Sequence, residues 1–129
     1  MSNVPSELRY TTDHEYVKST ADAAIVAIGI TDYAQGELGD IVFLDLPKPG
    51  AKFDARAVFG TIEAVKAVSD LFCPLAGEVV EVNSALDGEP AVVNSDPYGA
   101  GWMIKLRVTN PGELSGLLDA VAYTALLGK

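Results

Sequence analysis

Along this chain, apolar and polar residues alternate in short runs that Gly and Pro interrupt, which is the rhythm of strands and not of long helices. Glu15–Lys18 and Ala23–Ile30 read as the first two strands, joined by a polar turn at Ser19-Thr20. Thr31–Gly39 reads as about two helical turns, with Thr31 or Asp32 capping the first amides and Gly39 ending the helix in a left-handed conformation. Ile41–Leu46 is a strand closed by Pro47-Lys48-Pro49-Gly50. Ala57–Val65 and Ala67–Phe72 form a pair, and Gly77–Asn83 a further strand. Trp102–Val108 alternates most clearly, with Trp102, Ile104, Leu106 and Val108 facing one way and Lys105 and Arg107 the other. The period then changes. Asn110-Pro111-Gly112-Glu113 resembles a cap, a first-turn proline and a capping-box acid. Asp119 caps a second piece running through Tyr123 to Leu127, so a helical segment is expected over about 111–127. The expectation is a mainly β chain with one short internal helix and a helical C-terminus, forming one domain over 1–129.

With 129 residues the chain has the length of one ordinary domain, and 49% apolar against 21% charged residues is a globular composition. Nine basic against eighteen acidic side chains leave a formal charge of −9. That balance predicts no nucleic-acid binding, which needs clustered Lys and Arg, and no attraction to an anionic membrane surface. The longest apolar run, Ala23–Ile30, has eight residues, far short of the roughly 20 that a bilayer-crossing helix needs. A single Cys73 cannot close an internal disulfide, and Met1–Pro5 carries no basic region followed by an apolar stretch. A reducing cytoplasm is therefore expected, and a monomer is the expected state. His14 is the lone histidine, without a second His or Cys nearby in sequence, so no metal site is expected; a packing or hydrogen-bonding role suits it better. Cys73 reads as a small apolar filler.

The most informative stretch is Gly60–Phe72, two strand-forming arms that meet at Lys66 with Ala-Val on either side of it. Favoured hairpin turns use Gly, Asn or Asp, and none lies within three residues of Lys66. A tight bend there would push the lysine outward, where its amine could be acylated, replacing a cation by a neutral amide. The local pattern leaves a second reading open, in which Lys66 is simply the solvent-facing member of an alternating strand.

Glu63-Ala64-Val65-Lys66-Ala67-Val68-Ser69-Asp70, followed by Pro74-Leu75-Ala76-Gly77-Glu78-Val79-Val80-Glu81-Val82-Asn83, closely resembles the lipoyl-attachment region of glycine cleavage system H proteins. Tyr10 and His14-Glu15-Tyr16-Val17 resemble that family's N-terminal block. Gly29–Gln35 and Leu38–Phe43 resemble its next, and Val93–Trp102 its last. The blocks keep the family's order and spacing from about Leu8 to Leu127. Two positions depart from it: Ala64 stands where Ser is usual, and Tyr16 where Trp is usual.

The resemblance implies a lipoyl/biotinyl-type flattened β-barrel, a hybrid-motif sandwich, with the attachment hairpin at about 57–72. It implies a carrier and not a catalyst, with lipoic acid covalently attached to Lys66. Such a carrier takes the aminomethyl group of glycine from the pyridoxal-phosphate glycine decarboxylase (P-protein). It delivers that group to the tetrahydrofolate-dependent aminomethyltransferase (T-protein) and is reoxidised by dihydrolipoamide dehydrogenase (L-protein). Lipoylating enzymes are the remaining partners. By the same resemblance Glu15 and Asp70 contact the loaded arm, and Glu63 and Gly77 take part in recognition by the modifying enzymes. For Gly77 a turn entering a strand is an equally good structural reading. Two related alternatives are a lipoyl-relay H-like protein and a biotinyl-type carrier, although the latter usually flanks its lysine with Met where Val65 and Ala67 stand here. An interaction module with an unmodified Lys66 is the reading from another class.

Overall fold

The computed structural model describes residues 4–128. Nine strands make two sheets. The larger holds β1 (Arg9–Tyr10), β2 (Glu15–Ser19), β3 (Ile25–Ile30), β9 (Ile104–Val108), β8 (Gly77–Val82) and β5 (Lys52–Phe53), in that spatial order. The smaller holds β4 (Ile41–Asp45), β6 (Val58–Ala64) and β7 (Val68–Phe72). All recorded pairings are antiparallel, and the sheets are not closed into one continuous barrel. Val26, Ile28 and Ile30 from β3, Ile104, Leu106 and Val108 from β9, and Ile41, Leu44, Ile62 and Leu71 from the smaller sheet share one buried core. The layers are therefore held by apolar burial between them, the usual cohesion of a two-sheet sandwich.

The short helix α1 (Asp32–Leu38) joins the sheets. Thr31 caps it, its hydroxyl accepting from the Ala34 amide, and Gly39 closes it at φ 81°. The helical C-terminus consists of two pieces, a 3-10 segment Pro111–Gly116 and α3 (Ala120–Leu126). The side chains of Asn110 and Asp119 accept from the amides of Gly112 and Ala122. Tyr123 of α3 stacks on Tyr10 with ring centroids 4.6 Å apart, fastening the C-terminus to β1. The one-turn helix α2 (Val92–Ser95) lies in the long β8–β9 connection.

Two expectations are corrected in detail. Ala23 and Ala24 belong to a turn and not to β3, because Asp22 accepts from the Ala24 amide with its side chain and from the Ile25 amide with its carbonyl. Trp102 does not begin β9 or share the inner face of Ile104. Met103 is the buried residue there, donating its amide to Ile28. Trp102 is half-buried, with the Lys105 ammonium 5.0 Å from its ring centroid. A cation–π contact thus keeps it on the polar side. Among the described residues, no helix is long and apolar enough to cross a membrane.

Candidate functional site

Lys66 lies at the bend between β6 and β7. The last paired row, Glu63↔Val68, is followed by Ala64 and Ala67, whose amides bond each other's carbonyls at 2.7 and 3.4 Å across a two-residue loop, Val65-Lys66. Neither loop residue takes positive φ. This excludes the I′, II′ and II turns, so the bend needs no Gly, Asn or Asp. It is held from outside as well, because the Val65 amide donates to the Asp40 carbonyl at 3.0 Å. Lys66 is exposed and, among the described residues, forms no salt bridge.

The far end of the Lys66 side chain passes over Gly39. A Cβ at residue 39 would sit 3.2 Å from Lys66 Cε. With φ 81° and ψ −155°, Gly39 also occupies a backbone region that is essentially glycine's alone. Asn94 fixes this crossing: its amide donates to the Gly39 carbonyl at 2.8 Å and to Gln35 Oε1 at 3.0 Å, and its carbonyl accepts from the Ile41 amide at 2.9 Å.

A cleft of about 270 Å³ opens between α1 and β7. Ile30, Ala34, Leu38, Ile62 and Leu71 give it apolar walls, and Glu15, His14 and Asp70 contribute polar groups. Glu15 forms part of its floor. Only 2% of the residue is exposed, and burial pushes its carboxyl up to about 8, against the opposing pull of hydrogen bonds from the Phe72 amide (3.2 Å) and the Thr11 hydroxyl (3.1 Å). His14 sits at φ 67° at the end of the β1–β2 turn, its amide donating to the Thr11 carbonyl. Its Nδ1 lies 2.8 Å from the Tyr123 hydroxyl, and desolvation lowers its pKa. Burial therefore favours the neutral form of both groups, the imidazole and the carboxyl.

Glu15 and Asp70 thus line one cleft, but unequally. Asp70 is exposed at the rim, and the pleat sets it in the row Asp45–Thr61–Asp70, on the face opposite Leu71. Glu63 lies in the neighbouring row Phe43–Glu63–Val68, directly before the bend. Gly77 is elsewhere, at the start of β8 in the other sheet, where a Cβ would lie 2.4 Å from the Arg107 carbonyl oxygen. Close backbone packing requires glycine there. The sequence reading assigned no site contact to Thr11, Asn94 or Tyr123. Tyr123 and His14 are 109 positions apart and the partners of Asn94 lie 53, 55 and 59 positions away, whereas Thr11 meets Glu15 only four positions on, in a pairing that a lone Thr does not announce. Tyr16, at the position where Trp is usual, is fully buried; its ring lies over Gly29 and its hydroxyl donates to the Pro97 carbonyl at 2.6 Å.

Two flattened sheets presenting a lysine on a tight hairpin beside a narrow cleft define a carrier-type β domain. The protein-family model for the glycine cleavage H-protein matches residues 8–129. The glycine cleavage system H protein of Chlorobium limicola is 54% identical over 127 residues, spanning 98% of this chain and 99% of its own. That of Bacteroides fragilis is 54% identical over 125 residues, spanning 97% and 98%. Among solved structures, a glycine cleavage system H protein from Mycobacterium marinum superposes with a TM-score of 0.88 at 38% identity, covering 98% of this chain and all of that one. The chain belongs to the glycine cleavage H-protein family.

Proposed function

We propose that this chain is the lipoyl-bearing carrier of the glycine cleavage system, with lipoic acid in amide linkage to Lys66 Nζ. The observation that carries the reading is the bend itself: an exposed lysine that forms no salt bridge among the described residues, presented on a strand-braced loop next to a cleft with apolar walls. Those residues fit the group. Ala34, Leu38, Ile62 and Leu71 can cover an aliphatic chain, and Gly39 leaves room for the lysine stem to pass toward them. When bound, lipoic acid supplies a dithiolane that exchanges a one-carbon, amine-bearing unit and two electrons. The chain itself supplies the tether, which raises the effective concentration of the arm at whichever enzyme has docked.

The residues of the cleft would shelter an amine-bearing arm from water. Arrival of an ammonium favours the ionised form of Glu15, turning a neutral acid into a charge-assisted hydrogen-bond acceptor. Asp70, on the rim, would act as a weaker second contact. Glu63 stands where a modifying enzyme meets the hairpin, whereas for Gly77 the close packing against Arg107 supports a structural role. The partners in this reading are the glycine decarboxylase, the aminomethyltransferase, dihydrolipoamide dehydrogenase and the lipoylating enzymes. The chain performs no catalysis of its own, and the thiol of Cys73, buried and bonded to the Leu75 carbonyl, suits a reducing cytoplasm.

The test is glycine-dependent CO2 release reconstituted with purified partner enzymes, using the lipoylated chain, its mass verified intact, and a Lys66→Arg control. Activity is expected only with the lysine; equal activity with the arginine chain would refute the reading. In the same assay Glu15→Gln is expected to lose the amine-bearing unit several-fold faster than wild type, and Asp70→Asn to change that rate less.

A further inference from the structure

His14 and Glu15 are neighbours in sequence, yet both line the cleft. Successive residues of a strand face opposite ways. The left-handed backbone of His14, φ 67°, breaks that alternation at the entry to β2, so both side chains reach one cavity. Histidine is among the side chains that take this conformation most readily, but the position is strained and its surroundings must hold it. Tyr33 flanks the imidazole at 4.9 Å between ring centroids, and Tyr123 meets it edge-on at 5.7 Å. The Tyr123 hydroxyl lies 2.8 Å from His14 Nδ1 and 2.8 Å from Thr31 Oγ1. The available hydrogens give this series a direction. Thr31 Oγ1 already accepts from the Ala34 amide, and Thr31 and Tyr123 are both wholly buried. If Nδ1 carried the proton, Tyr123 would accept it and donate to Thr31, leaving the threonine hydrogen without an acceptor among the described residues. In the opposite order Thr31 donates to Tyr123, Tyr123 donates to Nδ1, and every hydrogen has a partner. The proton of the neutral ring therefore sits on Nε2, the nitrogen left for the cleft.

We infer that His14 binds the sulfur end of the loaded arm, its Nε2–H donating to the sulfur that does not bear the amine, while Glu15 takes the amine. The inference rests on the carrier reading above and adds a binding residue and a division of labour within the same cleft. Reductive opening of the dithiolane leaves the amine-bearing carbon on one sulfur and a free thiol on the other. Such an arm is two-ended: an ammonium that only donates, and a sulfur that accepts, more strongly as thiolate. Acidic side chains match the first end and oppose the second. Asp13, Glu15, Glu37 and Asp70 all line the cleft, so the sulfur needs a donor to offset them. Ser69 directs its hydroxyl to the Asp70 carbonyl. Nε2–H is the donor that the buried series fixes before the arm arrives, which leaves little ordering cost at binding. Tyr123 acts through His14 and is a positioning residue: it sets the tautomer and is not among the residues that line the cleft.

The test uses the chain's single histidine as its own probe. Nitrogen NMR of the isotope-labelled, unlipoylated chain is expected to place the proton on Nε2 and to give Nδ1 the shift of a hydrogen-bond acceptor, which Tyr123→Phe removes. When the lipoylated wild-type chain is loaded with glycine and the purified decarboxylase, the Nε2 proton should move downfield and exchange with water more slowly. That readout does not depend on how any variant folds. His14→Gln and His14→Met share their length and the cost of the left-handed backbone, and differ in the donor. Followed by intact mass, the loaded His14→Met chain is expected to lose the amine-bearing unit several-fold faster than the loaded His14→Gln chain. A proton on Nδ1, an Nε2 proton that loading leaves unmoved, or equal decay of the Gln and Met chains overturns the assignment. If the wild-type chain takes no lipoyl group at Lys66, or takes up no amine-bearing unit once lipoylated, the carrier reading itself falls. A wild-type chain that loads normally while its Nε2 proton stays indifferent sinks this assignment alone.

Discussion

A carboxyl group held near pKa 8 is neutral where most protein acids are charged, and burial holds Glu15 there. Between the unfolded value of about 4.5 and about 8, the folded chain binds this proton and the unfolded chain does not. Stability therefore falls as pH rises through that window and levels off above it. His14 acts in the opposite sense: with its folded pKa lowered, its contribution is lost as pH falls through 6.5. Glu15→Gln cancels the shared terms. Gln can still accept from the Phe72 amide and can donate to Thr11, but carries no titrating proton. Urea midpoints should show the variant gaining on wild type as pH rises from 4.5 to 8, by a few kcal/mol in all. A parallel pair of pH profiles would mean that Glu15 is ionised in the folded protein. The glutamate itself was legible in the sequence only as part of a family block. Its burial follows from contacts with β7, 57 positions away, which no local pattern carries.

At the scale of elements, the joint between α1 and β4 decides where the lysine stem lies. Asn94 satisfies Gly39, Ile41 and Gln35 at once. Asn94→Ala leaves a carbonyl and an amide unpaired at the crossing, and should cost about 2–4 kcal/mol in urea unfolding. In the folded fraction, it should also make Lys66 more reactive toward a small activated ester, since the stem loses a fixed neighbour. Unchanged stability would show that water replaces the asparagine at no cost. Longer elements were readable from their residues: the caps Thr31, Asn110 and Asp119 and the alternation in β9 announce themselves locally. The two-residue strands β1 and β5 and the single turn α2 did not, because none is long enough to show a period. The bend at Lys66 was hidden for another reason. Its loop takes negative φ and is braced by Asp40, so the usual turn residues are absent, and local pattern could not separate a hairpin tip from a mid-strand lysine.

At the scale of the whole molecule, the two faces of the smaller sheet divide the work that the carrier reading requires. Core packing and the cleft lie toward α1 and the larger sheet, while the outer face bears exposed apolar side chains and Glu63, with Asp70 at the rim between the two. Excess charge adds reach to this arrangement. Eighteen acidic against nine basic side chains surround the molecule with a negative potential that draws in cation-rimmed surfaces before contact. Salt shortens that reach, since the Debye length is about 10 Å at 0.1 M and falls to about 3 Å at 1 M. For the lipoylated chain, kcat/KM toward the separately purified decarboxylase should fall several-fold between 50 and 300 mM NaCl, through KM, with kcat nearly constant. Steering acts on encounter and not on the chemistry after docking, so a loss confined to kcat would contradict it. A flat profile would leave the net charge without a role in recognition and place the whole burden of specificity on short-range contacts at the hairpin.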